Sequence, residues 1–218
     1  MRNPLPFQGE VVCNQITKRL KKVWGKRCYN ACMNASKAGL RQKLKAQRLK
    51  LSSEEVNRRS QKIADQVLEI LNPPSSRLRG ASMISILSMH TYMPLEKQKE
   101  IDSKLLLKAI WTNQPSIKTA TWRQPLQKFE SVWINSSAPP ETVAEGYQYD
   151  LIIVPMLGFD DQAYRLGFGG GFYDSFLKTQ TDALKVGLCY EFGHVDFTPE
   201  PHDVSLDMVI TENKIYRF

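Results

Sequence analysis

The chain has 218 residues, of which 42% are hydrophobic and 24% charged, and a net charge of +8. Such a composition suits one globular domain with a real core. No apolar run approaches the roughly 20 residues a bilayer crossing needs, so no transmembrane helix is expected. The positive charge is local: residues 1–50 hold 13 Lys and Arg against the single acid Glu10, while the other 168 residues hold 17 against 21 acids. A high overall charge is therefore no argument that the folded body binds nucleic acid.

Residues 1–33 have no sustained hydrophobic period and are strongly basic. They read as an extension, either a disordered tail or sequence upstream of a true start at Met33, with the working domain at 34–218. The segment is Arg/Lys-rich and acid-poor like a mitochondrial presequence but contains no serine, so the cytoplasm is the expected compartment and the mitochondrion the alternative. Cys28 and Cys32 are four apart with no partnering His or Cys pair. Neither a zinc site nor a disulfide framework is expected. Cys189, in the run "LKVGLCY", reads as a small buried apolar residue.

In "SKAGLRQKLKAQRLKL", Leu40, Leu44 and Leu51 recur at helical spacing and Lys and Arg fill the other faces. "SSEEVNRRSQKIADQVLEIL" opens with Ser52 three residues before Glu55, a capping-box pattern, and is stopped by Pro73-Pro74. Two helices thus precede the first strand. "SMISILSM" (82–89) is β-like, 100–111 is helical, and "IKTATW" and "FESVWI" are short strands. Residues 135–149 form a turn-rich connection. "LIIVP" (151–155) is apolar throughout, as a parallel strand covered on both faces must be. A glycine-rich loop and a helix near 172–179 follow, then strands in "LKVGLCY" and "DMVITENKIYRF". Strands alternating with helices predict a Rossmann-like three-layer α/β/α fold with a mostly parallel central sheet.

The loop is "RLGFGGGFYD" (165–174), with glycine at four of ten positions. In α/β sheets ligands sit beyond the C-terminal ends of strands, where this loop falls. Glycines let an anion approach bare backbone N–H groups, a helix N-terminus adds partial positive charge, and Arg165 could add a phosphate contact. Asp174 could hold Mg²⁺. The plainer reading is a turn with a helix-capping Asp. GxxxxGK[ST] is absent, and 11 residues between "LIIVP" and Gly167 do not fit a dinucleotide fingerprint. A second acidic cluster, Glu200, Asp203 and Asp207, could add a metal carboxylate. His194, His202, Lys37 and Arg41 read as ordinary polar positions when taken alone.

"DLIIVPMLGFDDQAYRLGFGGGFYDSFL" closely resembles the signature of the 5-formyltetrahydrofolate cyclo-ligase family, also called 5,10-methenyltetrahydrofolate synthetase. "SKAGLRQKLKAQRLKLSSEE", "SMISILSM" and "VGLCYEFGHVDFTPEPHDVSLDMVITENKIYRF" resemble its opening helices, first strand and ending, in order and spacing. The resemblance implies an ATP- and Mg²⁺-dependent closure of 5-formyltetrahydrofolate to 5,10-methenyltetrahydrofolate, with reduced folate and ATP as small-molecule partners in a monomer. It implies ATP contacts from Lys37, Arg41, Arg165, Gly167, Gly169, Gly170, Gly171 and Tyr173, with Lys37, Arg41 and Arg165 catalytic. It implies Mg²⁺ carboxylates at Asp174 and Asp203, and folate contacts from Leu87, Glu100, Phe172 and Tyr173. The family's folate Glu lies about three residues after "SM". Here Glu100 lies 11 residues beyond Met89, an insertion of about eight, and Glu96 is the other candidate. "INSSAPPETVAEGYQYD" replaces a central family segment, and His194 stands where a glutamine is common. The alternative expectation is a non-catalytic nucleotide-binding relative that meets nucleic acid or another partner through its basic N-terminus, with salt-sensitive affinity.

Overall fold

A computed structural model describes residues 36–71, 86–123, 130–137 and 139–218. The basic extension, Pro73-Pro74 and the first residues of "SMISILSM" lie outside them. Among the described residues two helices come first, as expected: α1 (Lys37–Leu49) and α2 (Ser53–Leu71). Ser36 caps α1 by accepting from Gly39 N at 3.1 Å, and Ser52 caps α2 by accepting from Glu55 N at 3.1 Å. The Glu55 carboxylate does not complete the box; it binds Arg58 and Arg59 one turn on.

The chain then runs β1 (Ser88–His90), a 3-10 turn (Glu96–Gln98), α3 (Ser103–Asn113), β2 (Lys118–Trp122), β3 (Ser131–Ile134), β4 (Glu141–Thr142), β5 (Leu151–Pro155), β6 (Gly158–Phe159), β7 (Arg165–Leu166), α4 (Phe172–Lys178), β8 (Leu184–Leu188), a 3-10 turn (Glu191–Gly193), β9 (Met208–Ile210) and β10 (Ile215–Arg217). Among the described residues, eight strands form one sheet in the order β10-β9-β8-β5-β1-β2-β3-β4. The five from β9 to β2 are mutually parallel, and β10, β3 and β4 add antiparallel edges. The mostly parallel α/β sheet is as expected. Within 82–89 the described strand is confined to the end, and the connection 135–149 carries the short edge strand β4.

The apolar run of β5 is explained by its two faces. Leu151 and Ile153 join a core with Ile63 and Val67 of α2 and Leu106, Leu107 and Ile110 of α3. Ile152 and Val154 join a core on the opposite face with Leu177 of α4, Val209 and Leu206. Strand periodicity sends alternate residues to opposite layers, so both must be apolar.

The 11 residues between β5 and Gly167 fold as the β6–β7 hairpin. Its turn is shaped by Asp160, whose Oδ1 accepts from Gln162 N at 3.0 Å and Tyr164 N at 2.9 Å. Leu40 and Leu44 of α1 pack on Leu157 and Leu166 of this hairpin. That contact turns the basic side of α1 toward the glycine loop.

Candidate active site

A cleft of about 390 Å³ opens beyond the C-terminal ends of β1, β2 and β5. Its volume falls in the range of small-ligand sites. Lys37 and Arg41 reach it from α1, Tyr92, Met93, Leu95 and Glu100 from the segment after β1, and Trp122 from the end of β2. Arg165 enters from β7, with Gly167 through Asp174 from the loop and start of α4, and Glu200, His202 and Asp203 from the segment before β9.

The cations are held in place by the acids and the loop. Arg41 Nε donates to Gly167 O at 2.9 Å, and its guanidinium lies beside Gly169. Gly169 has φ +104° and Gly171 φ +65°, left-handed conformations that favour glycine. The buried Arg165 donates from Nη2 to Asp174 Oδ1 at 2.7 Å and from Nη1 to Val204 O at 2.8 Å. Burial works against its charge, and Asp174 counteracts that. Lys37 Nζ donates to Asp203 Oδ2 at 2.6 Å and lies 3.5 Å from Glu200. Partial burial pushes the Asp203 carboxyl upward, but the Glu200 N–H and Lys37 outweigh it and hold Asp203 below the ordinary carboxylate range.

The other end of the cleft is apolar and aromatic. Trp122 packs edge-on against Phe172 and Phe176, and its indole N–H donates to the Tyr173 hydroxyl at 3.3 Å. Burial raises the Tyr173 phenol, which stays neutral. Glu100 is buried in this half, its Oε2 accepting from Leu95 N at 2.7 Å. Burial raises its pKa, and the Leu95 N–H and Arg48 pull the other way. A second, aromatic groove of about 940 Å³ adjoins across Gly170–Phe172, lined in part by Trp122, Tyr147, Tyr149 and Phe176.

The structure thus brings to one cleft the ATP, metal and folate residues that the resemblance implied, except Leu87. Leu87 is exposed, precedes β1, and gives its N–H to Asp150 at the far end of β5. Cleft positions near that strand are taken instead by Tyr92, Met93 and Leu95. Of the two candidate glutamates, Glu100 faces the cleft, while Glu96 is exposed and pairs with Lys104 at 2.6 Å. Asp207 is drawn off to Lys185 N at 2.7 Å, and His194 stacks on Phe159 and pairs with Asp161, outside the cleft. The Cys189 thiol, pushed up to about 12 by burial, is inert packing.

Sequence reasoning missed Trp122, Phe168 and Arg48. Arg48 had a signal, since it continues the Leu40–Leu44 spacing and therefore falls on the buried face of α1. Glu200, His202 and Asp203 place one ligand atom each within 4.8 Å of one another, and Asp174 Oδ1, bound by Arg165, also accepts from Val204 N, next to Asp203, at 3.1 Å. Carboxylates of this kind suit a hard divalent cation that also takes phosphate oxygens.

A model of the 5-formyltetrahydrofolate cyclo-ligase family matches residues 33–212. The 5-formyltetrahydrofolate cyclo-ligase of Mycoplasma pneumoniae is 29% identical over 160 residues, covering 62% of this chain and 96% of the relative. The mouse 5-formyltetrahydrofolate cyclo-ligase is 26% identical over 211 residues, covering 83% and 96%. Among solved structures, the M. pneumoniae 5,10-methenyltetrahydrofolate synthetase superposes with TM-score 0.64 at 28% identity, covering 81% of this chain and 99% of the other. The Aquifex aeolicus 5,10-methenyltetrahydrofolate synthetase does so with TM-score 0.65 at 26% identity, covering 83% and 92%.

Proposed function

The chain belongs to the 5-formyltetrahydrofolate cyclo-ligase family, a family of ligases, and on that footing we propose that it converts 5-formyltetrahydrofolate to 5,10-methenyltetrahydrofolate, consuming ATP with Mg²⁺ and releasing ADP and phosphate. The observation that carries this reading is convergence. Three cations, a bare glycine backbone and the carboxylates of Asp174, Glu200 and Asp203 meet at one end of a cleft whose other end is aromatic and holds the buried Glu100.

The chemistry explains why such a cleft is needed. A formyl amide oxygen is a poor leaving group. Its attack on the γ-phosphorus, with rupture of the bond to the β-phosphate, gives ADP and an oxygen able to leave as phosphate. N10 then bonds to the formyl carbon, loses its proton, and the carbon–oxygen bond breaks. Lys37, Arg41 and Arg165 bind the phosphates and spread the charge that develops on them, together with the N–H groups of Gly167–Gly171. Asp174 and Asp203 are the groups to hold Mg²⁺, which supplies further neutralisation of phosphate charge. Phe172, Tyr173 and Trp122 shield the folate from water. Glu100 accepts from the N–H donors of its pteridine ring, a role for which an ionised carboxylate is complementary.

The reading requires one ADP and one phosphate per methenyl product, and no turnover when ATP, Mg²⁺ or 5-formyltetrahydrofolate is withheld. ATP consumption without cyclised product would reject it. A monomer acting in the cytoplasm belongs to the same proposal. Among the described residues no helix is long and apolar enough to cross a membrane.

A further inference from the structure

Arg48 sits on the buried stripe of α1 with only 3% of its surface exposed. Its Nη2 donates to Met156 O at 2.6 Å, and its guanidinium lies over the Tyr190 ring at 5.5 Å and the Phe168 ring at 5.9 Å. Nη1 is buried with no hydrogen-bond partner among the described residues and stands 4.0 Å from Oε1 of Glu100, itself 6% exposed. A buried donor left unpaired costs about 1–3 kcal/mol, so its persistence calls for a reason. At 4.0 Å the guanidinium compensates the carboxylate's charge without a hydrogen bond to Oε1. That oxygen can then accept from a ligand in the cleft.

We propose that Arg48 is a positioning residue: from behind the cleft wall it keeps the Glu100 carboxylate ionised and aimed at the pteridine ring of the folate. The proposal rests on the assignment of Glu100 to the folate made above. Three groups face Glu100: Arg48 from α1, Tyr92 after β1 and Tyr173 from α4. Both tyrosines are neutral, so Arg48 supplies the cation that offsets burial. Of the remaining charged cleft groups, Lys37 pairs with Glu200 and Asp203, Arg165 pairs with Asp174, and Arg41 is held by Gly167 O. Without Arg48, burial of Glu100 is opposed by the Leu95 N–H alone. Its carboxyl then takes up a proton at higher pH and loses an acceptor the folate needs.

The test is steady-state kinetics of the full chain against 5-formyltetrahydrofolate at saturating ATP, from about pH 5.5 to about pH 8.5. Arg48→Met should raise the folate KM about tenfold near neutral pH while leaving the ATP KM within about twofold. It should also move the acid limb of kcat/KM for folate upward by about one pH unit. Arg48→Lys, which keeps the charge, should restore most of that limb. Arg48→Met combined with Glu100→Gln should be little worse than Glu100→Gln alone. Should Arg48→Met fail to fold, Arg48→Gln, which retains a donor for Met156 O, carries the same expectations. An unshifted acid limb, or additive effects in the double variant, overturns the proposal. The two readings separate cleanly. Glu100→Gln with unchanged folate KM overturns the folate assignment and this proposal with it, whereas a raised KM there with an unshifted limb in the Arg48 variants overturns the role of Arg48 alone.

Discussion

Asp174 is asked to do two things: it neutralises the buried Arg165, and it is proposed to hold the metal. Asp174→Asn keeps the acceptor for Arg165 and Val204 N but removes both the charge that neutralises Arg165 and a good ligand for Mg²⁺. We expect kcat to fall by about 100-fold or more with the far-ultraviolet circular dichroism unchanged. Near-normal turnover in a folded Asp174→Asn protein would remove Asp174 from the metal site. Gly169 tests the loop in the same way. At φ +104° a side chain is strained, and a Cβ would meet the Arg41 guanidinium at 3.5 Å. Strain of about 1–3 kcal/mol should appear in Gly169→Ala as an ATP KM raised about tenfold, and an unchanged KM would show that the loop adopts another shape when it binds. Positions such as these were legible in the sequence because the glycines and charged groups stand in one contiguous motif.

The elements show where legibility ends. β5 could be read from its unbroken apolar run, and α2 from its cap and stripe, because periodicity and capping are local properties. The β6–β7 hairpin could not. Its strands are two residues each, too short for a period, and its turn depends on Asp160 rather than on an Asn-Gly or Pro-Gly signal. The segment from Thr91 to Glu100 was equally silent, because its course is set by tertiary contacts. The Tyr92 hydroxyl donates to Ile101 O at 2.9 Å, and Leu95 N donates to Glu100. Leu87, assigned through resemblance to a position beside the folate, lies instead at the opposite end of β1, since the described strand begins only at Ser88. Close packing between elements carries its own prediction. At Gly193 a Cβ would lie 2.7 Å from Leu157 O and 3.2 Å from the Gly158 Cα, both backbone atoms that cannot swing aside. Gly193→Ala should cost about 1–3 kcal/mol in urea unfolding by prising the 3-10 turn from β6. A loss below about 0.5 kcal/mol would mean that this junction yields easily.

Taken whole, the molecule hides an acid-sensitive group in its core. His90, fully buried among Trp122, Tyr149 and Phe176, has both ring nitrogens without hydrogen-bond partners among the described residues, and burial pulls its pKa from 6.5 to about 3. The unfolded chain therefore binds a proton below about pH 6.5 that the folded chain refuses. The contribution of His90 to stability is intact above that pH and is lost progressively as pH falls toward about 3, by about 2 kcal/mol between pH 6.5 and pH 5. Urea midpoints across that interval should fall less steeply in His90→Leu than in the native chain, and equal slopes would show that His90 finds a proton-tolerant setting.

The central claim is that this cleft joins ATP to a reduced folate, and one absorbance trace tests it most directly. Purified protein mixed with 5-formyltetrahydrofolate, Mg²⁺ and ATP should produce the near-ultraviolet band of 5,10-methenyltetrahydrofolate, with no rise until ATP is added. A flat trace with correctly folded protein, or a rise that does not depend on ATP, would contradict the account.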